Sequence, residues 1–158
     1  MSKSYLHLGG AFPIGIRNNN PGNLAKTKHP YPGVTTRTPI GRGPSFLAFV
    51  DMAHGMLAAI SLIVNYVDGG LNTITKISAR YLEKGTTATA RALWIAQVAR
   101  YAELKPNQLL NPDNPAMLRQ LVLAIVMKET GLKFTRNGIT ATITQQDYND
   151  ALALVANN

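Results

Sequence analysis

From Asp51 onward the hydrophobic positions recur at helical intervals. Met52, Met56, Ala59, Ile60, Ile63, Val64 and Val67 fall at three- and four-residue steps, and Gly69-Gly70 ends the run. Asn72 is placed to cap a second helix through Ile74, Ile77 and Tyr81. A third is predicted over roughly Ala88 to Glu103, with Leu93, Trp94, Val98 and Tyr101 facing inward. Asn114 before Pro115 opens a fourth, to Glu129, whose apolar face (Leu118, Leu121, Val122, Ile125, Val126) makes it central. Beyond Gly131 the period falls to two. Leu132 to Thr135 and Ile139 to Ile143 flank Arg136-Asn137-Gly138, a hairpin signal because Asn and Gly tolerate positive φ. Thr144-Gln145-Gln146-Asp147, close to a capping box, then leads a last amphipathic helix with Tyr148, Ala151, Leu152 and Val155.

Residues 1–50 break that rhythm. Pro13, Pro21, Pro30, Pro32, Pro39 and Pro44 forbid long helices, so loop, turn and short strand are expected. Phe12, Tyr31, Phe46 and Phe49 argue that this segment packs. The pattern as a whole predicts a mainly α single domain over 1–158: a loop-rich segment (1–50), a helical core (51–131), and a hairpin near 132–143 followed by the final helix.

Composition sharpens the picture. The chain has 158 residues, enough for one proper core, and its 46% hydrophobic content argues against disorder. It has no cysteine, which removes disulfides and thiolate metal sites. Sixteen Lys and Arg against eight Asp and Glu give +8, a surface that attracts polyanions: nucleic acid, anionic glycan or a bacterial envelope. The basic residues are scattered, which ranks nucleic acid behind the other two. The first residues lack the apolar stretch of a signal peptide, and the Met56–Val67 run, broken by Ser61 and Asn65, is too short to span a bilayer.

Most chemistry can be set aside. His7, His29 and His54 lie far apart, and the position one turn after His54 is Ala58, so no metal site is expected. Gly41-Arg42-Gly43-Pro44 lacks the strand and Lys-Ser/Thr pair of a phosphate loop and reads as a turn. Nothing suggests an acyl-transfer nucleophile, and no cofactor is implied. Two elements remain. Gly15-Ile16-Arg17-Asn18-Asn19-Asn20-Pro21-Gly22-Asn23 carries four asparagines in six residues. It reads either as a tight structural turn or as a wall of amides suited to sugar hydroxyls and N-acetyl groups. Lys128-Glu129-Thr130-Gly131 ends the most apolar helix. An acid there is opposed by the helix dipole, and apolar walls would raise its pKa further, as a general acid requires. The alternative is an exposed Glu paired with Lys128 or Lys133.

Gly15 to Leu24, Phe46-x-x-Phe49, the Ala/Gly-rich helix ending near Tyr66, Leu71-Asn72-Thr73-Ile74 and Ala124 to Gly131 together resemble a family of phage and prophage virion proteins described as structural or lysozyme-like. The resemblance covers about residues 14–131, and its specific part is the asparagine motif. It implies a lysozyme-like helical domain. Glu129-Thr130-Gly131 is also similar to the Glu-Ser-Gly turn of lytic transglycosylases and bacterial glucosaminidases, with chain order reversed, as a circular permutation would give. The family tends to carry an acid shortly before Phe-x-x-Phe. Here that stretch is Gly41-Arg42-Gly43-Pro44-Ser45, so an inverting mechanism with a second carboxylate loses support.

The expectation is a virion-associated enzyme cleaving the glycan strands of peptidoglycan, with Glu129 as single catalytic acid. Arg17, Asn18, Asn19, Asn20 and Asn23 would orient the sugar, and Tyr66, Tyr81 or Trp94 would stack on it. It would act in the bacterial periplasm or wall, delivered in the virion or made in the host cytoplasm. The alternative is a non-catalytic virion component that uses the same cleft for glycan or neighbouring subunits.

Overall fold

A computed structural model describes residues 2–35 and 46–156. The Gly41–Pro44 turn and the acid-free stretch before Phe46 lie outside those residues. The described residues form six helices and one two-stranded antiparallel sheet, so the mainly α architecture is as the periodicity predicts. The elements are α1 (Ile14–Arg17), α2 (Met52–Asp68), α3 (Ile74–Tyr81), α4 (Ala88–Ala102), α5 (Pro115–Glu129), β1 (Lys133–Arg136), β2 (Ile139–Thr142) and α6 (Gln145–Ala156). They group into two compact units, one of Met1–Ala59 with Glu129–Asn158 and one of Ile60–Lys128.

The first unit draws both ends of the chain together. Its apolar interior includes Phe12, Ile16, Leu24, Phe49, Met52, Met56, Ala141, Ile143 and Tyr148. Among the described residues before α2, regular structure is the single turn of α1 and two isolated antiparallel bridges, Ala25 with Phe46 and Val34 with Phe49, as the prolines lead one to expect. The start of α2 is satisfied from several directions. Asp51 Oδ1 accepts from His54 N (2.9 Å), Lys3 O from Met52 N (2.9 Å) and Ser2 Oγ from Ala53 N (3.0 Å), covering donors the helix cannot pair itself. Tyr5 spans to the hairpin, its hydroxyl donating to Thr142 O (3.1 Å) and accepting from Thr142 N (3.0 Å). Lys3 Nζ lies 2.9 Å from the buried carboxylate of Asp147.

The hairpin register pairs Arg136 with Ile139 across Asn137 (φ 52°) and Gly138 (φ 76°), the turn those two residues favour. Asp147 Oδ2 reaches back to Thr144 N (2.7 Å), completing the half of a capping box that Thr144 and Asp147 foreshadow.

In the second unit, α3 and α4 each begin with a threonine cap. Thr73 accepts from Lys76 N (3.1 Å), so the cap falls one residue after the expected Asn72, whose carbonyl is taken by Leu110 N (2.9 Å). Thr87 accepts from Ala90 N (3.1 Å). Helix α4 ends at Ala102, with Glu103 in the left-handed region (φ 56°) as its cap. Its inward line is Trp94, Val98, Ala99 and Ala102, whereas Leu93 and Tyr101, expected to face inward, are exposed. The alanines permit close packing along a line that hydrophobicity alone ranks below Leu and Tyr. Helix α5 begins as expected, with Asn114 Oδ1 accepting from Met117 N (3.2 Å), and buries Leu121, Val122, Ala124, Ile125 and Val126.

Candidate functional site

The asparagine loop is a folding device before it is anything else. Asn19 and Asn23 both adopt positive φ (50° and 52°), a conformation Asn tolerates better than most residues. Asn18, Asn19 and Asn20 are all buried. Asn20 Nδ2 donates to Leu24 O and Leu47 O, and its Oδ1 accepts from Leu24 N, each at 2.9 Å. Asn19 Nδ2 donates to Ser4 Oγ and Phe49 O (both 2.9 Å), while its Oδ1 accepts from Tyr5 N (2.8 Å). These amides stand in for the sheet hydrogen bonds that a proline-rich segment cannot form. Helix α2 approaches so closely that a Cβ on Gly55 would overlap the Asn19 carbonyl oxygen. Of the amides expected to orient a sugar, those of Asn19 and Asn20 are thus engaged within the fold. Asn18 Nδ2 is buried with no acceptor. Arg17 is half-buried, and its Nε donates to Phe12 O (2.8 Å).

The structure brings the second sequence element directly onto this loop. Asn23 Nδ2 donates to the carbonyl oxygen of Glu129 (3.0 Å), and Thr130 Oγ1 donates to Pro21 O (2.7 Å). A Cβ on Gly15 would overlap the Thr130 side chain, so this glycine is required for close approach. Glu129, the last residue of α5, is half-buried there, and Gly131 (φ 87°) turns the chain toward the hairpin. Residues 106 and 109 positions apart thereby share one locality.

Tyr66, Tyr81 and Trp94 belong to the second unit. The Tyr81 and Trp94 rings lie 5.7 Å apart at 30°, and Trp94, 3% exposed, has no face to offer a ligand. Burial raises the Tyr66 phenol above its ordinary 10.0, with Arg80 pulling the other way.

Sequence reasoning missed Thr130 and Gly15 as partners. The pair formed by His54 Nδ1 and Asp51 Oδ1 (2.7 Å) was not anticipated either, since its carboxylate lies three residues before His54 and not one turn after it. Among the described residues no three His, Asp or Glu side chains gather as a metal site, and no helix is long and apolar enough to cross a membrane. No protein-family model and no curated protein matches the sequence.

Proposed function

We propose that the protein is a lysozyme-like, peptidoglycan-degrading enzyme of the virion, cleaving the glycan strand with Glu129 as its single catalytic carboxylic acid. The observation that carries this reading is the packing of the Glu129–Gly131 turn on the Gly15–Asn23 loop, through the bonds from Asn23 to Glu129 O and from Thr130 to Pro21 O. An acid meant for proton transfer needs a fixed position, and this one sits at a helix end held by a loop that its own amides make rigid.

In this reading Glu129 gives its proton to the departing glycosidic oxygen as the bond to C1 breaks. The N-acetyl group of the sugar stabilises the positive centre, so no second carboxylate is needed. The Glu129 carboxylate then takes the proton of the attacking hydroxyl, from water in hydrolysis or from the sugar's own C6 in transglycosylation. Arg17, on the same loop, orients the glycan. The +8 charge favours an anionic wall, and virion delivery accounts for access to the periplasm. Replacing Glu129 with Gln should abolish release of soluble muropeptides from purified wall, and retained release would remove Glu129 as the acid.

A second reading, a non-catalytic virion component binding glycan or neighbouring subunits, is favoured by the engagement of the Asn19 and Asn20 amides within the fold. It expects wall binding without muropeptide release and indifference to Glu129→Gln.

A further inference from the structure

Helix ends leave carbonyl groups without intrahelical partners, and most are met by solvent or by a glycine turn that follows. The end of α5 has such a glycine, Gly131 (φ 87°), and a further partner beside it. A side chain from more than a hundred residues away, Asn23, donates to the carbonyl of Glu129 at 3.0 Å, and the hydroxyl of the next residue, Thr130, donates to Pro21 O at 2.7 Å. The two bonds run in opposite directions between the same two segments, so they fix the Glu129–Thr130 peptide against rotation as well as translation.

Asn23 holds this arrangement at a disadvantage to itself. Its backbone sits at φ 52°, and its Oδ1 is buried with no donor. The φ is one that Asn tolerates, but the unmet acceptor is unfavourable for an asparagine that served only its own turn. Gly15 completes the arrangement, since a Cβ there would overlap Thr130 and approach Asn23 Oδ1 to 2.9 Å. A buried acceptor left unmet beside this contact is what a preorganised site costs.

We infer that Asn23 and Thr130 are positioning residues: a two-point latch that sets where the Glu129 carboxylate stands. This rests on the proposal that Glu129 is the catalytic acid. Loss of either bond lets the helix end shift, and a displacement on the order of 1 Å is enough to reduce the chemical step strongly.

The test uses the full chain on purified peptidoglycan, with kcat and KM for muropeptide release measured for Asn23→Gly, Thr130→Val, Thr130→Ser and Glu129→Gln. Asn23→Gly keeps the positive φ while deleting the amide, and Thr130→Val deletes the hydroxyl at constant shape. Each should lower kcat about ten- to a hundred-fold with KM within about two-fold. Thr130→Ser, which keeps the oxygen, should recover most of the loss. Rates are referred to the folded fraction measured by circular dichroism at the assay temperature, so a folding defect is separated from a positioning defect. If Glu129→Gln is inactive while Asn23→Gly and Thr130→Val keep kcat per folded molecule within two-fold of wild type, the latch is overturned and the catalytic acid stands. If Glu129→Gln remains active, or the wild type releases nothing, the catalytic acid falls and the latch falls with it.

Discussion

The asparagine loop of the first unit and helices α3 and α4 of the second reach order by different means. The helices close their own backbone hydrogen bonds. They need the environment only for an apolar line (Ile74, Ile77; Trp94, Val98, Ala102) and a threonine at each start. The loop closes local turns of its own, among them Asn19 N to Ile16 O, Asn20 N to Gly15 O and Asn23 N to Asn20 O, and its side chains add partners for main-chain groups elsewhere. Asn19 and Asn20 supply partners to main-chain groups at Tyr5, Leu24, Leu47 and Phe49, so a few polar side chains join these described segments. In the helices the stabilisation is spread over many small contacts, whereas in the loop it is concentrated.

That contrast predicts a hierarchy of substitutions. The largest effect belongs to Asn20→Ala, which strands two buried main-chain groups, Leu24 N and Leu47 O, while Leu24 O keeps its bond from Leu47 N. At about 1–3 kcal/mol for each, the loss is about 2 kcal/mol or more, a large part of a typical domain's stability. Urea denaturation should show it as a lower midpoint, and a midpoint unchanged from wild type would break the comparison. Gly55→Ala comes next. Its Cβ must displace the Asn19 carbonyl, at about 1–3 kcal/mol, although alanine is the better helix former. Were that variant instead more stable, the close approach of helix and loop would be wrong.

Thr73→Ala and Thr87→Ala, on the regular side of the comparison, should each cost only about 1 kcal/mol in the same assay. The smallest effect is electrostatic. Because burial raises the folded pKa of Tyr66, the unfolded chain ionises first. This group's contribution is therefore intact below pH 10.0 and declines as pH rises through and beyond it. Tyr66→Phe should flatten the loss of thermal stability above that pH, and identical wild-type and variant curves there would show that the phenol is solvated.

The same division explains what could be read in advance. Helix boundaries and the hairpin are local signals: Gly69-Gly70, Asn114-Pro115 and Asn137-Gly138 act on their neighbours, and the structure follows them closely. Which side of α4 faces inward is not local. Leu93 outranks Ala99 and Ala102 in hydrophobicity, but the small residues lie on the packed line. The asparagine loop was visible as unusual, yet its partners were not. An asparagine can bond its own turn or a chain segment 27 or 30 residues distant, and composition does not distinguish the two. The proximity of Glu129 to Asn23 is a tertiary fact of the same kind, suggested by resemblance and given geometry by the bonds at Asn23 and Thr130.

In the proposed function the rigid loop holds one acid. The most direct test is muropeptide release from purified peptidoglycan by wild type and Glu129→Gln, both checked for equal folding. Soluble glycan fragments are expected from the wild type and none from the variant. Equal release from both, or release from neither, would contradict the proposed function.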